Sequence, residues 1–152
     1  MIVFCDLDGT VADNSHRTGF IQSTKKDWDS FYSPELISKD RPIASAVKAL
    51  KRLMENQGLL LYFLTGRPEK TRAATVEWLR LNLPWSNYAP ILMRPDGDFR
   101  KADVYKEEHI QKVRELYPSK VRIFIDDDLR NAEMYQRLGI MLKAPECWDH
   151  IL

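Results

Sequence analysis

Short runs of apolar residues alternate along the chain with longer segments in which apolar residues recur every three or four positions. The short runs predict buried strands at Ile2–Cys5, Leu59–Leu64, Ile91–Met93, Val121–Ile125 and, more weakly, Gly139–Lys143. The longer segments predict amphipathic helices at Ala44–Glu55, Glu69–Leu83, Asp103–Tyr117 and Leu129–Leu138. Wholly apolar strands that alternate with helices are typical of a parallel sheet covered on both faces. The pattern predicts an α/β fold with a doubly wound parallel sheet of about five strands.

One long segment interrupts this alternation. Residues Ala12–Pro42 follow the first predicted strand, where a compact connection between a strand and a helix needs only a few residues. A segment beside the carboxyl end of a strand is placed to cover or shape a site there. We therefore expect a single Rossmann-like domain over residues 1–152, with a small insertion at about 12–42 and no large cap domain.

Composition excludes several classes of protein. The 152 residues are 44% hydrophobic and 30% charged, as in an ordinary globular domain, and the formal charge of +1 gives no overall basic field for duplex DNA. No run of about 18 apolar residues occurs, so we expect no contact with a membrane. Cys5 and Cys147 are too far apart in sequence for a zinc pattern or a disulfide framework, which favours a cytoplasmic location.

The first candidate for chemistry is the acidic turn Asp6-Leu7-Asp8-Gly9-Thr10, which directly follows a predicted strand. Ligand sites in α/β sheets lie at the carboxyl ends of strands, and residues two apart in an extended segment project to the same side. Asp6 and Asp8 are therefore expected to converge, and the repulsion between their charges favours a divalent cation nearby. The alternative is a polar turn in which Asp8 and Gly9 only close the strand.

A second acidic group, Asp126-Asp127-Asp128, follows the predicted strand Val121–Ile125. Three successive acids repel one another unless a cation gathers them, whereas helix capping needs only one acid. We expect at least one of them to bind metal. The alternative is that Asp127 or Asp128 caps the next helix.

A third strand end carries Thr65-Gly66-Arg67, just before a predicted helix. A hydroxyl, a flexible glycine and a helix N-terminus together suit an anion, although Thr65 alone could be a plain helix cap. Three polar strand ends at one edge of a parallel sheet predict a site for a phosphate and a metal.

Taken in their order along the chain, the motifs resemble those of the haloacid dehalogenase superfamily. That superfamily carries an Asp-x-Asp nucleophile loop, a Thr or Ser, a Lys and a terminal pair of acids. The match runs over nearly the whole chain. Asp8 resembles the acid that the superfamily's phosphatases carry two residues after the nucleophile. The resemblance therefore implies a Mg²⁺-dependent phosphomonoesterase.

A closer resemblance is to the 3′-phosphatase domain of phage-type polynucleotide kinase-phosphatases. It rests on Leu64–Arg67, Arg100–Glu108, Ile125–Asp127 and Ala132–Gly139. On that alignment Lys106, rather than Lys101, takes the place of the superfamily lysine. Two positions depart from the family: Ala102 stands where it has an acid four residues before the lysine, and Asp128 stands where it has a basic residue.

The resemblance implies a role for each motif residue. Asp6 would be the nucleophile, and Asp8 would donate and then accept a proton, for which its pKa must be raised. The implied metal ligands are Asp6, Asp8 (through its backbone carbonyl), Asp126 and Asp127. Of the last two, Asp126 is expected to bind directly, with the reverse assignment left open. The implied phosphate- or substrate-binding residues are Thr65, Gly66, Arg67, Lys106 and Arg17, although without the resemblance Lys106 could be a surface lysine.

The implied substrate is a phosphorylated nucleotide or nucleic-acid end, with a polynucleotide 3′-phosphate as the first choice and a nucleoside monophosphate as the alternative. A non-catalytic phosphate- or metal-binding module is less favoured, because no motif residue is missing. Aromatic and basic residues in the insertion could stack on a nucleotide or simply hold the insertion in place: Lys25, Lys26, Trp28, Phe31 and Tyr32. No GxxxxGK[ST] motif occurs, so a kinase domain is not expected, and no obligate protein partner is evident.

Overall fold

The computed structural model describes residues 1–151. Its strands are β1 (Ile2–Cys5), β2 (Ala12–Asp13), β3 (Arg41–Pro42), β4 (Leu60–Pro68), β5 (Ile91–Arg94), β6 (Arg122–Asp126) and β7 (Ile140–Lys143). Five of them form one sheet in the order β5-β4-β1-β6-β7, and every pairing in that sheet is parallel. This confirms the predicted α/β fold class, because β1 lies at the centre with a crossover on each side.

The helices are α1 (Gly19–Gln22), α2 (Trp28–Phe31), α3 (Pro34–Ser38), α4 (Ala44–Met54), α5 (Arg72–Asn82), α6 (Ala102–Leu116), α7 (Ala132–Leu138) and α8 (Trp148–Ile151). The last five cover both faces of the sheet. Alternate residues of β1 face opposite cores: Val3 and Cys5 pack with α4, α5 and α8, whereas Ile2 and Phe4 pack with α6 and α7. A strand that is buried on both sides must be apolar at every position, which is why the short runs marked the strands.

Most predicted boundaries agree with the structure, but one difference affects the site. Strand β4 continues through Thr65, Gly66 and Arg67 to Pro68, and its pairing with β5 shifts register between Leu64 and Pro68. A 3₁₀ turn (Glu69–Thr71) then precedes α5. Thr65, Gly66 and Arg67 therefore belong to the end of a strand that lies just before a helical segment, and the 3₁₀ turn separates them from the N-terminus of α5.

The insertion is small, as predicted. Its two ends pair as the antiparallel ladder β2–β3, which joins Ala12 to Pro42 and Asp13 to Arg41. Between them lie a 3₁₀ turn (Ser15–Arg17) and the three short helices α1, α2 and α3. Helix α3 packs against α5, which fixes the insertion over the carboxyl edge of the sheet. Across residues 1–151, none of the helices is long and apolar enough to cross a membrane.

Candidate active site

The turn after β1 places the first two acids. The Asp6 amide donates to the Ile125 carbonyl over 2.9 Å, which extends the β1–β6 ladder by one residue. The Leu7 carbonyl then accepts from the amides of Thr10, Val11 and Ala12, and this closes a tight turn. Gly9 has φ 79°, and a Cβ there would collide with the Asp127 carboxylate. Only glycine therefore allows the turn to approach the second acidic group this closely.

Lys106 lies at the centre of the site. Its Nζ donates to Asp6 Oδ1 over 3.0 Å and to Asp126 Oδ2 over 2.8 Å, and the residue is 3% exposed. Burial alone would lower the lysine pKa, but Asp126 and Asp6 together hold it well above its usual value. The ammonium is therefore a fixed positive charge between two carboxylates. Lys106 is not the solvated surface lysine of the alternative interpretation.

Three carboxylates meet beside this lysine. Asp6, Asp126 and Asp127 each offer an oxygen, and these oxygens lie within 4.8 Å of one another. Burial raises the pKa of Asp6 well above its usual value, and the neighbouring acids add to the rise although Lys106 opposes it. Burial and the charge of Asp126 raise the pKa of Asp127 to about 6. Hard oxygen donors that need more positive charge nearby fit a divalent cation such as Mg²⁺.

The adjacent acids Asp126 and Asp127 differ in their hydrogen bonds. Asp126 accepts at Oδ2 from Lys106, Tyr135 (2.7 Å) and Asn131 (3.3 Å), and at Oδ1 from the Asp128 amide (2.8 Å). Asp127 accepts from one side chain, the Thr10 hydroxyl, over 3.0 Å. Asp126 is therefore engaged by the protein at both oxygens, whereas Asp127 has one oxygen, Oδ2, that accepts from no side chain among residues 1–151.

Asp128 has a different role from its two neighbours. Its side chain accepts from the Arg130 amide over 3.0 Å, which caps the 3₁₀ turn Leu129–Asn131, and it also pairs with the Arg130 guanidinium over 2.8 Å. The three acids thus divide between capping and the site. Asp128 has the capping role, whereas Asp126 and Asp127 lie in the candidate metal site.

Asp8 is held by two arginines. Arg67 Nη2 donates to its Oδ1 over 2.7 Å, Arg17 Nη2 donates to the same oxygen, and both arginine side chains are fully buried. Burial alone would raise the pKa of Asp8, but the charges and hydrogen bonds of Arg67 and Arg17 hold it below its usual value. The expected rise of this pKa was wrong for the free site, because no local pattern shows that two cations bond to this one carboxylate.

Sequence reasoning missed Asp40, the second acid bound to these arginines. Its buried carboxylate accepts from Arg17 at both oxygens and from Arg67 Nη2, each over 2.8 Å, and His16 lies 2.8 Å away. Its carbonyl accepts from the Trp78 indole over 2.8 Å, which anchors it to α5. In sequence Asp40 is one polar residue near the end of an insertion, so no local signal marks it.

The Thr65-Gly66-Arg67 segment completes the edge of the site. Thr65 is fully buried and its hydroxyl accepts from the Arg67 amide over 3.2 Å, so it is not the cap of a helix. A Cβ on Gly66 would lie 3.2 Å from the Tyr105 hydroxyl and 3.5 Å from the Tyr32 hydroxyl. The structure therefore brings every predicted site residue to one sheet edge, and it adds Asp40 and Tyr105.

The aromatic residues of the insertion divide between packing and exposure. Phe31 is buried beneath the Arg17 guanidinium, which lies 4.5 Å from its ring centre. Trp28 is 46% exposed, stacks on Tyr32 at 6.0 Å and has the Lys26 ammonium 5.6 Å from its ring. Phe31 thus holds the insertion in place, while Trp28 offers an aromatic face to solvent.

The order and placement of these residues agree with a known family. A family model for the polynucleotide kinase PNKP phosphatase domain matches residues 1–144. The chain belongs to this family. The resemblance to haloacid dehalogenase-type phosphatases of the polynucleotide kinase-phosphatase kind is thereby confirmed. No curated protein sequence gives a significant match to the chain.

Solved structures show the same fold at low sequence identity. Pnkp1 from the Pnkp1/Rnl/Hen1 complex has a TM-score of 0.69 and 23% identity over 93% of this chain. The class C acid phosphatase of Bacillus anthracis, solved with tungstate, has a TM-score of 0.66 and 18% identity over 95% of this chain. The chain spans 44% of the Pnkp1 chain and 66% of the acid phosphatase. At these identities the likeness establishes the fold alone.

Proposed function

We propose that this chain is a Mg²⁺-dependent phosphomonoester hydrolase that forms an aspartyl-phosphate on Asp6. The observation that carries the proposal is the buried Lys106 ammonium, which bonds to Asp6 and Asp126 from positions 100 and 20 residues away in sequence. Burying these three charged groups has a large desolvation cost, so a contribution to stability does not by itself explain the arrangement. Family membership supports a phosphatase, and the arrangement of charges supports phosphoryl transfer to a carboxylate.

Each residue has a role in this reaction. The Asp6 carboxylate attacks phosphorus, so that a bond from its oxygen forms as the bond to the alcohol oxygen breaks. Lys106, the Thr65 hydroxyl and the Gly66 amide stabilise negative charge on the phosphoryl oxygens. A water molecule then hydrolyses the acyl phosphate and releases inorganic phosphate. The loss of any one donor weakens stabilisation of the transition state.

The carboxylates of Asp6 and Asp127, with the Asp8 backbone carbonyl, would hold Mg²⁺. When bound, this ion neutralises charge on the phosphoryl oxygens and on the nucleophile. The four donors on Asp126 support a different role for that residue, namely to position Lys106. We therefore prefer the assignment that the sequence left open, with Asp127 as the direct ligand.

Asp8 would protonate the leaving alkoxide and later deprotonate the attacking water. In the free site Arg17 and Arg67 keep it ionised. A bound phosphoryl group brings negative charge and accepts hydrogen bonds from the same guanidinium groups, and both effects raise the pKa of Asp8. Proton uptake by Asp8 is thus linked to the arrival of substrate.

The proposed substrate is a 3′-phosphate on a DNA or RNA end. The family supports this choice, and a homologous fold in Pnkp1 belongs to an RNA repair complex. The small insertion leaves the site without a large cap, and the exposed Trp28 beside Lys26 offers a stacking surface for a base. A nucleoside monophosphate is the alternative that an assay must separate.

A phosphate-release assay with the purified chain and Mg²⁺ tests the proposal. The substrates are 3′-phosphorylated DNA and RNA oligonucleotides, nucleoside 3′- and 5′-monophosphates and an aryl phosphate, and Asp6→Asn serves as the inactive control. We expect the highest kcat/KM with an oligonucleotide. A preference for the monophosphates would support the alternative, and no release from any substrate would contradict the hydrolase. Turnover by the chain alone would also test the prediction that it needs no obligate protein partner. The cytoplasmic location stays a prediction.

A further inference from the structure

Tyr105 buries a hydroxyl that has no hydrogen-bond partner among the described residues. The residue is 1% exposed and lies in the first turns of α6, one position before Lys106. An unpaired buried hydroxyl lowers stability, and phenylalanine would fill the same space without that cost. The side chain therefore carries a polar atom that the folded protein itself does not use.

This hydroxyl points at the segment that surrounds the reacting group. A Cβ built on Gly66 would lie 3.2 Å from it. Gly66 follows Thr65 and precedes Arg67 in the sequence. The next residue of α6, Lys106, places its ammonium 3.0 Å from the Asp6 carboxylate. The Tyr105 hydroxyl thus lies among the groups that would bind a phosphoryl group.

The ring is held in a fixed position. The Arg94 guanidinium lies 4.2 Å from its centre, and Arg94 Nη1 is itself fixed by the carbonyls of Asp98 and Arg100 at 2.8 and 2.9 Å. Burial raises the pKa of the Tyr105 phenol, so its proton is retained. Tyr105 is therefore a preorganised, neutral hydrogen-bond donor.

We propose that the Tyr105 hydroxyl donates a hydrogen bond to a phosphoryl oxygen of the bound phosphomonoester, beside Gly66. The inference rests on the proposed function and adds a substrate-binding residue to it. Because the contact is with the phosphoryl group, it is the same for every phosphomonoester, whatever alcohol carries the phosphate. Inorganic phosphate, the product, contains the same oxygens and serves as the minimal probe.

The test is Tyr105→Phe, with binding of inorganic phosphate in the presence of Mg²⁺ measured by calorimetry. We expect the affinity to fall roughly tenfold or more, as for loss of a hydrogen bond to a charged group. kcat/KM should fall by a similar factor for an aryl phosphate and for a 3′-phosphorylated oligonucleotide. The Tm should stay the same or rise, because the lost hydroxyl bonds to nothing in the protein. A structural role would instead lower the Tm.

Two other tyrosines provide controls. Tyr88→Phe, at a 97% exposed position, should change neither binding nor stability. Tyr135→Phe removes a hydroxyl that donates to Asp126 over 2.7 Å, so its Tm should fall.

Three results would overturn the proposal: an unchanged phosphate affinity in Tyr105→Phe, a fall in its Tm, or a loss confined to oligonucleotide substrates. A wild-type chain that binds no phosphate would overturn it as well. If the wild type binds phosphate but hydrolyses nothing, the proposed hydrolase fails while the Tyr105 contact is still measured by calorimetry.

Discussion

Arg17 donates two parallel hydrogen bonds to Asp40, from Nε to Oδ1 and from Nη2 to Oδ2, each 2.8 Å long. This bidentate pair lies wholly inside the protein and links the first turn of the insertion to its last residues. Arg67 joins it from β4 through a third bond of 2.8 Å. Asp40 and Asp8 together balance the charges of the two guanidinium groups.

Replacement of Asp40 by Asn should damage both stability and activity. The change leaves two buried cations with only Asp8 as a carboxylate partner, and breaking a buried ion pair of this kind costs about 3–5 kcal/mol. Urea denaturation should show this loss in the free energy of unfolding. Asp29→Asn is the matched control, because the Asp29–Lys70 pair is exposed and should contribute little. Equal stability of the two variants would contradict the structural role of Asp40.

The two acids of the first turn should respond differently to replacement. Asp6→Asn removes the nucleophile and should abolish phosphate release. Asp8→Asn keeps the nucleophile but removes the proton carrier, and it should lower kcat by roughly 10²–10⁴-fold. Both are measured in the phosphate-release assay. Near wild-type turnover of Asp6→Asn would exclude this residue as the nucleophile.

Lys106 and Lys101 lie close in sequence and form a second comparison. Lys106→Met leaves Asp6 and Asp126 buried side by side without their shared cation, so we expect loss of turnover and a lower Tm. Lys101 is exposed at the start of α6, and Lys101→Met should keep the wild-type Tm and aryl-phosphate turnover. If the two variants behaved alike, Lys106 would have no special place in the site.

Replacement of Asp127 and replacement of Asp126 should have different effects on the response to Mg²⁺. Asp127→Asn should raise the Mg²⁺ concentration for half-maximal activity and reduce the rise in Tm on Mg²⁺ addition, with little effect on the metal-free fold. Asp126→Asn removes a charge that pairs with Lys106 and should lower the Tm even without Mg²⁺. EDTA should stop turnover of the wild type. Full activity in EDTA would contradict the metal assignment, and the reverse pattern would make Asp126 the direct ligand.

The sequence predicted the frame of the site because local pattern and sheet geometry determine it. Apolar runs marked the strands, and the carboxyl ends of parallel strands meet at one edge, which brought Asp6, Thr65 and Asp126 together. The charge environment depends on partners that are distant along the chain. Asp8 meets Arg67 from 59 residues away, so the direction of its pKa shift could not be read from the motif. Asp40 and the unpaired Tyr105 hydroxyl became recognisable only from burial and contacts.

The β2–β3 ladder limits how far a change within the insertion can disturb the rest of the site. It joins the two ends of the insertion, and Arg17 is held further by Asp40 and by the carbonyl and ring of Phe31. The stretch Gly19–Lys26 is largely exposed, and lengthening a surface loop costs only about 0.6 kcal/mol for each doubling of its length. We therefore expect changes of length or sequence in that stretch to leave Asp6, Asp8 and Lys106 in place. The exposed stretch is therefore where the surface beside the proposed active site can vary while the buried groups beneath it stay in place.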